Sequence, residues 1–241
     1  MELGFGAEYD AFRQEVRDFI AAHWPPADGN LKSRDNVRAF VEAAIGRGYM
    51  HRSIPRRFGG SEQQPDIGKA EVIREELSRA RAPSDRIPGN GLVVPTLLEW
   101  GTEEQKQRFI APTLRGDIIW AQGFSEPGAG SDLAALRTRA ELSPDGSKWI
   151  VNGQKIWTTG AHFATHMFLL VRSEPDAPKH AGISYLLIDI RQPGVTVRPL
   201  VQMTRQKEFN EVFFDNAETP AARAGTSPVR RSSTSVPGLP R

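Results

Sequence analysis

A change in the spacing of apolar residues near Gly116 constrains the fold of this chain more than any other feature. Before that point, apolar side chains recur every three or four residues, the spacing that buries one face of an α-helix. After it, apolar and polar residues alternate in short segments, which is typical of β-strands. No helical segment separates these strands, so the pattern argues against βαβ units. The sequence therefore predicts an α+β chain, with an N-terminal all-helical domain followed by an antiparallel β-barrel or sandwich domain.

The same pattern predicts the domain boundaries. We expect an N-terminal helical domain at residues 1–115 and a middle β domain at residues 116–220. Residues 221–241 are rich in Ser, Pro, Arg and Gly and lack apolar periodicity, which predicts a disordered C-terminal tail. Predicted helices cover residues 7–22, 37–45, 67–77 and 103–114, and predicted strands cover residues 118–121, 136–142, 149–156, 167–171, 182–190, 195–200 and 211–214.

Local signals refine the last of these helices. Thr102 is followed three residues later by Gln105, which predicts a capping box at the start of that helix. Pro112 is expected to kink that helix. Residues 92–100 are almost wholly apolar and are expected to be buried, and Ile67 is expected on the apolar face of its helix.

Composition excludes several classes of function. The 31 basic and 29 acidic residues leave a formal net charge of only +2, so no basic surface for nucleic acid is predicted. The chain has no cysteine, which excludes disulfides and thiolate chemistry. No apolar run approaches the roughly 20 residues of a membrane span. The first residues lack the basic start and apolar centre of a signal peptide, so a cytoplasmic location is expected.

Two strand ends carry the residue types of a ligand site. The apolar residues 118–121 lead into a loop with Pro127, Gly128 and Gly130, and glycines allow a ligand to approach the backbone closely. On its own, such a loop is more often a plain surface turn. A second predicted strand ends at residues 155–160 in Trp157, two threonines and a glycine.

These residues suit a flavin on physical grounds. An isoalloxazine ring is flat, apolar on its faces and polar along one edge. Trp157 offers packing for a face, and Thr159, Ser125 and nearby backbone N–H groups offer hydrogen bonds for the edge. Without further context, a core tryptophan would be the better interpretation of Trp157.

Both stretches resemble the signature of the acyl-CoA dehydrogenase family. Residues 125–132 read Ser-Glu-Pro-Gly-Ala-Gly-Ser-Asp and match its Thr/Ser-Glu-Pro-x-Ala-Gly-Ser-Asp loop, and residues 155–159 match its Lys-x-Trp-x-Thr strand end. Residues 54–60 and 101–106 are also similar to family segments. The resemblance covers about residues 7–220.

The resemblance implies a site for FAD. Ser125 falls where the family donates to the pyrimidine edge of the flavin, Thr159 where it donates to the N5 region, and Ser131 where it contacts the acyl-CoA substrate. Glu126 falls at a position that is structural in the family, and Gln122 and Phe124 fall at positions that vary. The implied cofactor-binding residues are Gln122, Phe124, Ser125, Gly130, Ser131, Trp157, Thr158 and Thr159.

The implied activity is FAD-dependent α,β-dehydrogenation of an acyl-CoA thioester, with an electron-transfer flavoprotein or similar acceptor and a homo- or hetero-oligomeric assembly. The resemblance stops near Pro220, before the C-terminal helical domain of the family, so we expect a truncated chain. The catalytic base is not assigned to any residue. We therefore expect weak or absent FAD binding by this chain alone.

Other interpretations remain open. The chain is alternatively an inactive remnant or a partner subunit of a full-length relative, or a flavin monooxygenase or nitroalkane-oxidising relative on the same scaffold. His162 and His166 lack the glutamate and third ligand of a zinc site, so no metal is expected. Gly123 and Ser125 lack the second glycine of a serine-hydrolase elbow. Arg205 is placed near an anionic group of the substrate or in solvent, with equal weight.

Overall fold

The computed structural model describes residues 6–84 and 90–223, which form five α-helices followed by a seven-stranded sheet. The helices are α1 (Ala7–His23), α2 (Arg34–Gly46), α3 (Ile67–Arg79), α4 (Asn90–Trp100) and α5 (Glu103–Leu114). The strands are β1 (Trp120–Gly123), β2 (Arg139–Leu142), β3 (Lys148–Lys155), β4 (His166–Arg172), β5 (Ile183–Asp189), β6 (Val195–Pro199) and β7 (Asn210–Pro220). The predicted α+β class is confirmed.

The chain divides into two compact units, one reaching to Trp120 and one beginning at Ala121. The predicted domain boundaries at 115 and 220 stay predictions. Of the tail predicted to be disordered, Ala221–Arg223 form a short 3-10 turn, and residues 224–241 lie outside the described residues.

Aromatic residues from α1 and α2 build the centre of the helical unit. Phe40 packs against Phe19 and Trp24, with ring centroids 5.7 and 5.4 Å apart. Ile73 and Leu77 of α3 join the same buried cluster. These residues lie on the apolar stripes that the sequence predicts, so burial of one face accounts for each helix. None of the helices in the described ranges has the length and apolar composition that a bilayer crossing requires.

An ion-pair cluster joins α1 to α3. Glu76 is buried, and its carboxylate accepts hydrogen bonds from Arg13 at 2.6 Å and Arg17 at 2.9 Å. Burial raises the pKa of Glu76, but the hydrogen bonds from Arg17 and Arg13 outweigh it and hold the pKa below its usual value. The pair of helices is therefore fixed in register by charge as well as by apolar packing.

Two sequence predictions about burial are wrong in part. Ile67 is 89% exposed, although its neighbour Gly68 in the first turn of α3 is buried. In α4, Val93, Val94 and Leu97 are buried, whereas Leu92 and Trp100 are 52% and 64% exposed. The predicted capping box of α5 is confirmed, since Thr102 accepts from the Gln105 backbone and Gln105 accepts from the Thr102 backbone. That helix continues through Pro112 to its last turn, and the predicted kink stays a prediction.

The sheet has the order β1-β4-β2-β3-β7-β6, with β5 pairing with β4, and it curls into a half-barrel. It is mixed rather than purely antiparallel, because β2 pairs with β4 in parallel at Arg139 and Arg172. The predicted strand at 136–142 begins later, at Arg139, because a 3-10 turn at Leu133–Ala135 precedes it. Strands β4 and β5 are buried on both faces, with 0% exposure at Met167, Phe168, Leu169, Val171, Leu186, Leu187 and Ile188.

Candidate functional site

The two stretches that the sequence singles out meet at the ends of β1 and β3. The backbone N–H of Ile156 donates to the carbonyl of Ser125 at 2.9 Å. The Lys155 ammonium donates to the carbonyl of Phe124 at 3.1 Å. Because β1 and β3 are not neighbours in the sheet, the loop after β1 makes this contact, not strand pairing.

A buried ion pair fixes the loop to β3. Lys155 is fully buried and donates to Glu126 Oε1 at 2.8 Å. The same carboxylate accepts from the backbone N–H groups of Arg137 at 2.6 Å and Thr138 at 2.9 Å. Burial raises the pKa of the Glu126 carboxyl, but the hydrogen bonds from Lys155, Thr138 and Arg137 outweigh it, so the pKa lies below its usual value. Glu126 is therefore an ionised anchor whose two oxygens are both engaged.

The tip of the loop is tight and open to solvent. Glu126 and Ala129 exchange backbone hydrogen bonds of 2.8 and 3.1 Å across Pro127 and Gly128. A Cβ atom added at Gly128 or Gly130 would meet no heavy atom within 4 Å, and neither glycine has a positive φ. Neither packing nor backbone conformation within the described chain thus demands glycine there. Such openness suits the close approach of a ligand to the backbone.

The far end of the loop is anchored to the β4–β5 connection. Arg172 donates to the carbonyls of Ala134 at 2.6 Å and Ala181 at 2.7 Å. Asp132 forms an ion pair with Lys179 of that connection. The loop is therefore held at both ends while its centre, including Ser131, stays exposed.

The end of β3 turns sharply at Trp157. This residue has a φ of 59°, a left-handed conformation that is unfavourable for a bulky side chain. The indole is 60% exposed, and its only aromatic contact within the described chain is edge-on to Phe209, with centroids 6.2 Å apart. The Thr158 N–H donates to the carbonyl of Asn210 at 3.0 Å, which fixes the peptide that follows Trp157. A strained backbone that presents a large exposed aromatic ring is typical of a binding site.

The buried hydroxyl of Thr158 indicates whether these residues suit a polar planar ligand. The residue is 1% exposed, and its hydroxyl oxygen forms no hydrogen bond with the described residues. A buried hydroxyl without a partner is unfavourable unless a ligand supplies one. With an exposed indole, a half-buried hydroxyl at Ser125 and an exposed one at Thr159, the residues fit a flavin ring.

The structure brings some predicted site residues together and leaves others apart. Phe124 and Ser125 adjoin the segment that carries Trp157, Thr158 and Thr159. The Phe124 ring packs edge-on against Phe168, with centroids 5.7 Å apart, so this side chain contacts the sheet. Gln122 is exposed on β1, and no hydrogen bond within the described chain joins Gly130 or Ser131 to residues 157–159.

Sequence reasoning missed two residues that shape the site. The sequence indicates Lys155 only as part of a motif and predicts no role for Asn210. A polar residue in phase with the buried positions Val212 and Phe214 of the same strand is the signal that points to Asn210.

The histidines and Arg205 have other neighbours. His162 Nδ1 lies 3.1 Å from Asn210 Oδ1, and His166 Nδ1 lies 3.0 Å from the Thr165 hydroxyl. Within residues 6–84 and 90–223, no three His, Asp or Glu side chains are placed to hold a metal ion. Arg205 is exposed, with a φ of 63° in the turn between β6 and β7.

Family models match both units. Residues 6–117 match the model described as acyl-CoA dehydrogenase, N-terminal domain, and residues 121–217 match acyl-CoA dehydrogenase, middle domain. Acyl-CoA dehydrogenase IpdE1 of Mycobacterium tuberculosis is 52% identical over 228 residues, which are 89% of this chain and 57% of that protein. The chain thus spans little more than half the length of this curated relative.

Solved structures share the fold. The ChsE4–ChsE5 complex from Mycobacterium tuberculosis has a TM-score of 0.71 at 29% identity, over 95% of this chain and 58% of the matched chain. An acyl-CoA dehydrogenase complexed with FAD from Bacillus anthracis has a TM-score of 0.62 at 21% identity, over 94% of this chain and 38% of that chain, which supports the fold alone.

Proposed function

Because this chain belongs to the acyl-CoA dehydrogenase family, whose N-terminal and middle domains it carries, we propose that its sheet unit binds FAD for the α,β-dehydrogenation of an acyl-CoA thioester. One observation carries the proposal. The loop after β1 and the end of β3 are joined at Ile156 and Ser125 and by the buried Lys155, so their flavin-compatible side chains share one edge of the sheet.

Each side chain has a distinct part in this proposal. The indole of Trp157 covers one face of the isoalloxazine ring, and the hydroxyls of Ser125 and Thr159 donate to its polar edge. Thr158 contributes the buried hydroxyl that a ligand atom would satisfy. Gln122, Phe124 and Gly130 contribute chiefly through the backbone of β1 and its loop.

The chain's own residues bind and orient rather than move protons. A bound FAD would supply the acceptor for the hydride from the β-carbon of the thioester, and the base that takes the α-proton is not assigned to a residue of this chain. Ser131 contacts the acyl-CoA from the exposed centre of the loop. Glu126 is not proposed as the base, because both of its oxygens are engaged by Lys155 and by two backbone N–H groups.

Partners are part of the proposal as well. We propose an electron-transfer flavoprotein or a similar protein as acceptor, and assembly into a homo- or hetero-oligomer. The ChsE4–ChsE5 structure, one chain of which shares this fold, is a complex, which supports assembly here. Because the chain spans 57% of IpdE1, the activity of the whole protein also stays a proposal.

An acceptor assay tests the activity. Purified protein is mixed with an acyl-CoA, an artificial electron acceptor and a large excess of FAD, because weak FAD binding is expected. The proposal predicts reduction that depends on both FAD and the thioester. Trp157→Ala should abolish it. Trp100→Ala is the matched control, because that tryptophan is 64% exposed in the helical unit. Equal rates in both variants, or reduction without a thioester, would refute the proposal.

A second candidate, a partner subunit of a full-length relative, is favoured by the hairpin between β6 and β7. Its Val201 and Met203 are 66% and fully exposed and lie two residues apart, and neighbouring exposed apolar side chains suit a surface that a partner covers. Co-expression with a full-length relative tests this role. Co-purification that Met203→Lys abolishes, with no acceptor reduction by the chain alone, would support the second candidate over the first.

A further inference from the structure

Asn210, the first residue of β7, connects the segments around the Trp157 turn. It is fully buried, and its backbone carbonyl accepts from Thr158 N–H at 3.0 Å. Its side-chain amide donates to the Thr158 carbonyl at 2.8 Å and to the Glu208 carbonyl at 3.3 Å. Its side-chain oxygen lies 3.1 Å from His162 Nδ1. One buried side chain thus contacts two residues of the turn after β3, Thr158 and His162, and the carbonyl of Glu208 in its own segment.

The peptide that Asn210 holds comes directly after the strained residue. Trp157 has a φ of 59°, and a non-glycine residue keeps such a conformation only when its surroundings enforce it. Asn210 engages both the N–H and the C=O of Thr158, which fixes the orientation of that residue from two sides. A further hydrogen bond, from Gly160 N–H to the Glu208 carbonyl at 2.8 Å, closes the same turn.

The chemistry requires an amide rather than a carboxylate at this position. The Asn210 Nδ2 group faces two carbonyl oxygens, so it must donate. An aspartate of the same shape would place an oxygen against those oxygens and leave a charge buried. The two carbonyl oxygens thus fix the orientation in which Nδ2 faces Thr158, and Oδ1 then faces Nδ1 of the exposed His162 and accepts from it when that nitrogen carries the proton.

We propose that Asn210 is a positioning residue, which holds Trp157 in its left-handed conformation and thereby sets the direction of the indole at the flavin site. The part concerning the flavin rests on the proposed function. Asn210 acts through the Thr158 peptide, since it is itself fully buried.

Fluorine NMR separates this role from general stability. The chain has five tryptophans, so 5-fluorotryptophan labelling gives five resonances, and Trp157→Phe identifies that of Trp157. In Asn210→Asp we expect the Trp157 resonance to shift and broaden while the other four keep their positions. Asn216→Asp is the matched control, because it makes the same change at an exposed position of the same strand.

Flavin binding is measured on the same samples. We expect Asn210→Asp to raise the dissociation constant of FAD by about tenfold, a change of about 1.4 kcal/mol, and Asn216→Asp to leave it unchanged. If wild-type protein shows no saturable FAD binding, the proposed function fails, while the resonance test of Asn210 still stands. If the resonance moves but FAD affinity does not, the link between Asn210 and the flavin is refuted.

A second variant covers a failure to fold of Asn210→Asp, in which the five resonances would lose their dispersion and collapse into a narrow range. His162→Ala changes an exposed side chain, and we expect it to broaden the Trp157 resonance with the fold intact. Folded Asn210→Asp or His162→Ala protein with an unchanged Trp157 resonance would overturn the proposal.

Discussion

Replacing Lys155 with methionine should destabilise the sheet unit strongly. The ammonium is fully buried and donates to Glu126 at 2.8 Å and to the Phe124 carbonyl at 3.1 Å. Methionine keeps most of the apolar volume but leaves a carboxylate, itself 7% exposed, without its cation. Breaking a buried pair from one side typically costs about 3–5 kcal/mol. We expect a loss in that range in the free energy of unfolding.

Urea-induced unfolding, with native-state hydrogen exchange at the β3 amides, measures this loss in the sheet unit. Lys148→Met is the matched control on the same strand. The Lys148 ammonium lies 2.6 Å from the Glu218 carboxylate, but the two side chains are 40% and 50% exposed. Solvent-exposed pairs contribute less than about 1 kcal/mol, so the control should change little.

The double variant tests the physical reason. Glu126→Gln in the Lys155→Met background removes the uncompensated charge and should restore more than about 1 kcal/mol of the lost stability. The reasoning is refuted if Lys155→Met loses no more than Lys148→Met, or if the two changes at Lys155 and Glu126 are additive.

Three further predictions concern single positions. The folded-state pKa of Glu126 is depressed, so its ionised form contributes fully to stability above the usual carboxyl pKa of about 4.3. That contribution is lost as the pH falls through the folded-state pKa. Between pH 7 and pH 3, the urea midpoint of Glu126→Gln should therefore decline less steeply than that of the wild type. Thr102→Ala should lower the stability of the helical unit by about 0.5–2 kcal/mol in urea unfolding, since the α5 capping box is lost, and an unchanged midpoint would contradict the cap. Thr158→Val should raise the free energy of unfolding without flavin by about 1 kcal/mol, because it removes a buried hydroxyl that has no hydrogen bond within the described residues. The same variant should bind FAD more weakly in a titration. A loss of stability would show that the hydroxyl has a partner.

Local signals account for much of the fold. The apolar spacing predicted α2, and Phe40, Val41 and Ala44 are buried on the expected face. The Thr102 capping box depends only on residues three apart, so it is visible in the sequence. Burial of Ile67 and Trp100 depends on which surfaces meet those helix ends, and periodicity carries no such information. Periodicity does not predict the parallel pairing of Arg139 with Arg172 either, because that pairing joins segments far apart in the chain.

The site was predictable in its parts but not in its connections. The motif placed Ser125 and Trp157 at strand ends, and the structure joins those ends through Ile156. The pair that fixes them, Glu126 and Lys155, is separated by 29 residues, and the contact of Asn210 with Thr158 spans 52. Contacts of that range depend on the fold itself, so a single sequence does not reveal them.

The convergence of two strand ends on one ring is the central claim, and a flavin titration followed by amide NMR tests it most directly. With FAD added to the isotopically labelled chain, we predict that the amide signals of Ser125, Trp157 and Thr159 shift together, with one dissociation constant even if binding is weak. Shifts confined to one of the two segments, or different dissociation constants for Ser125 and Trp157, would contradict a shared flavin site.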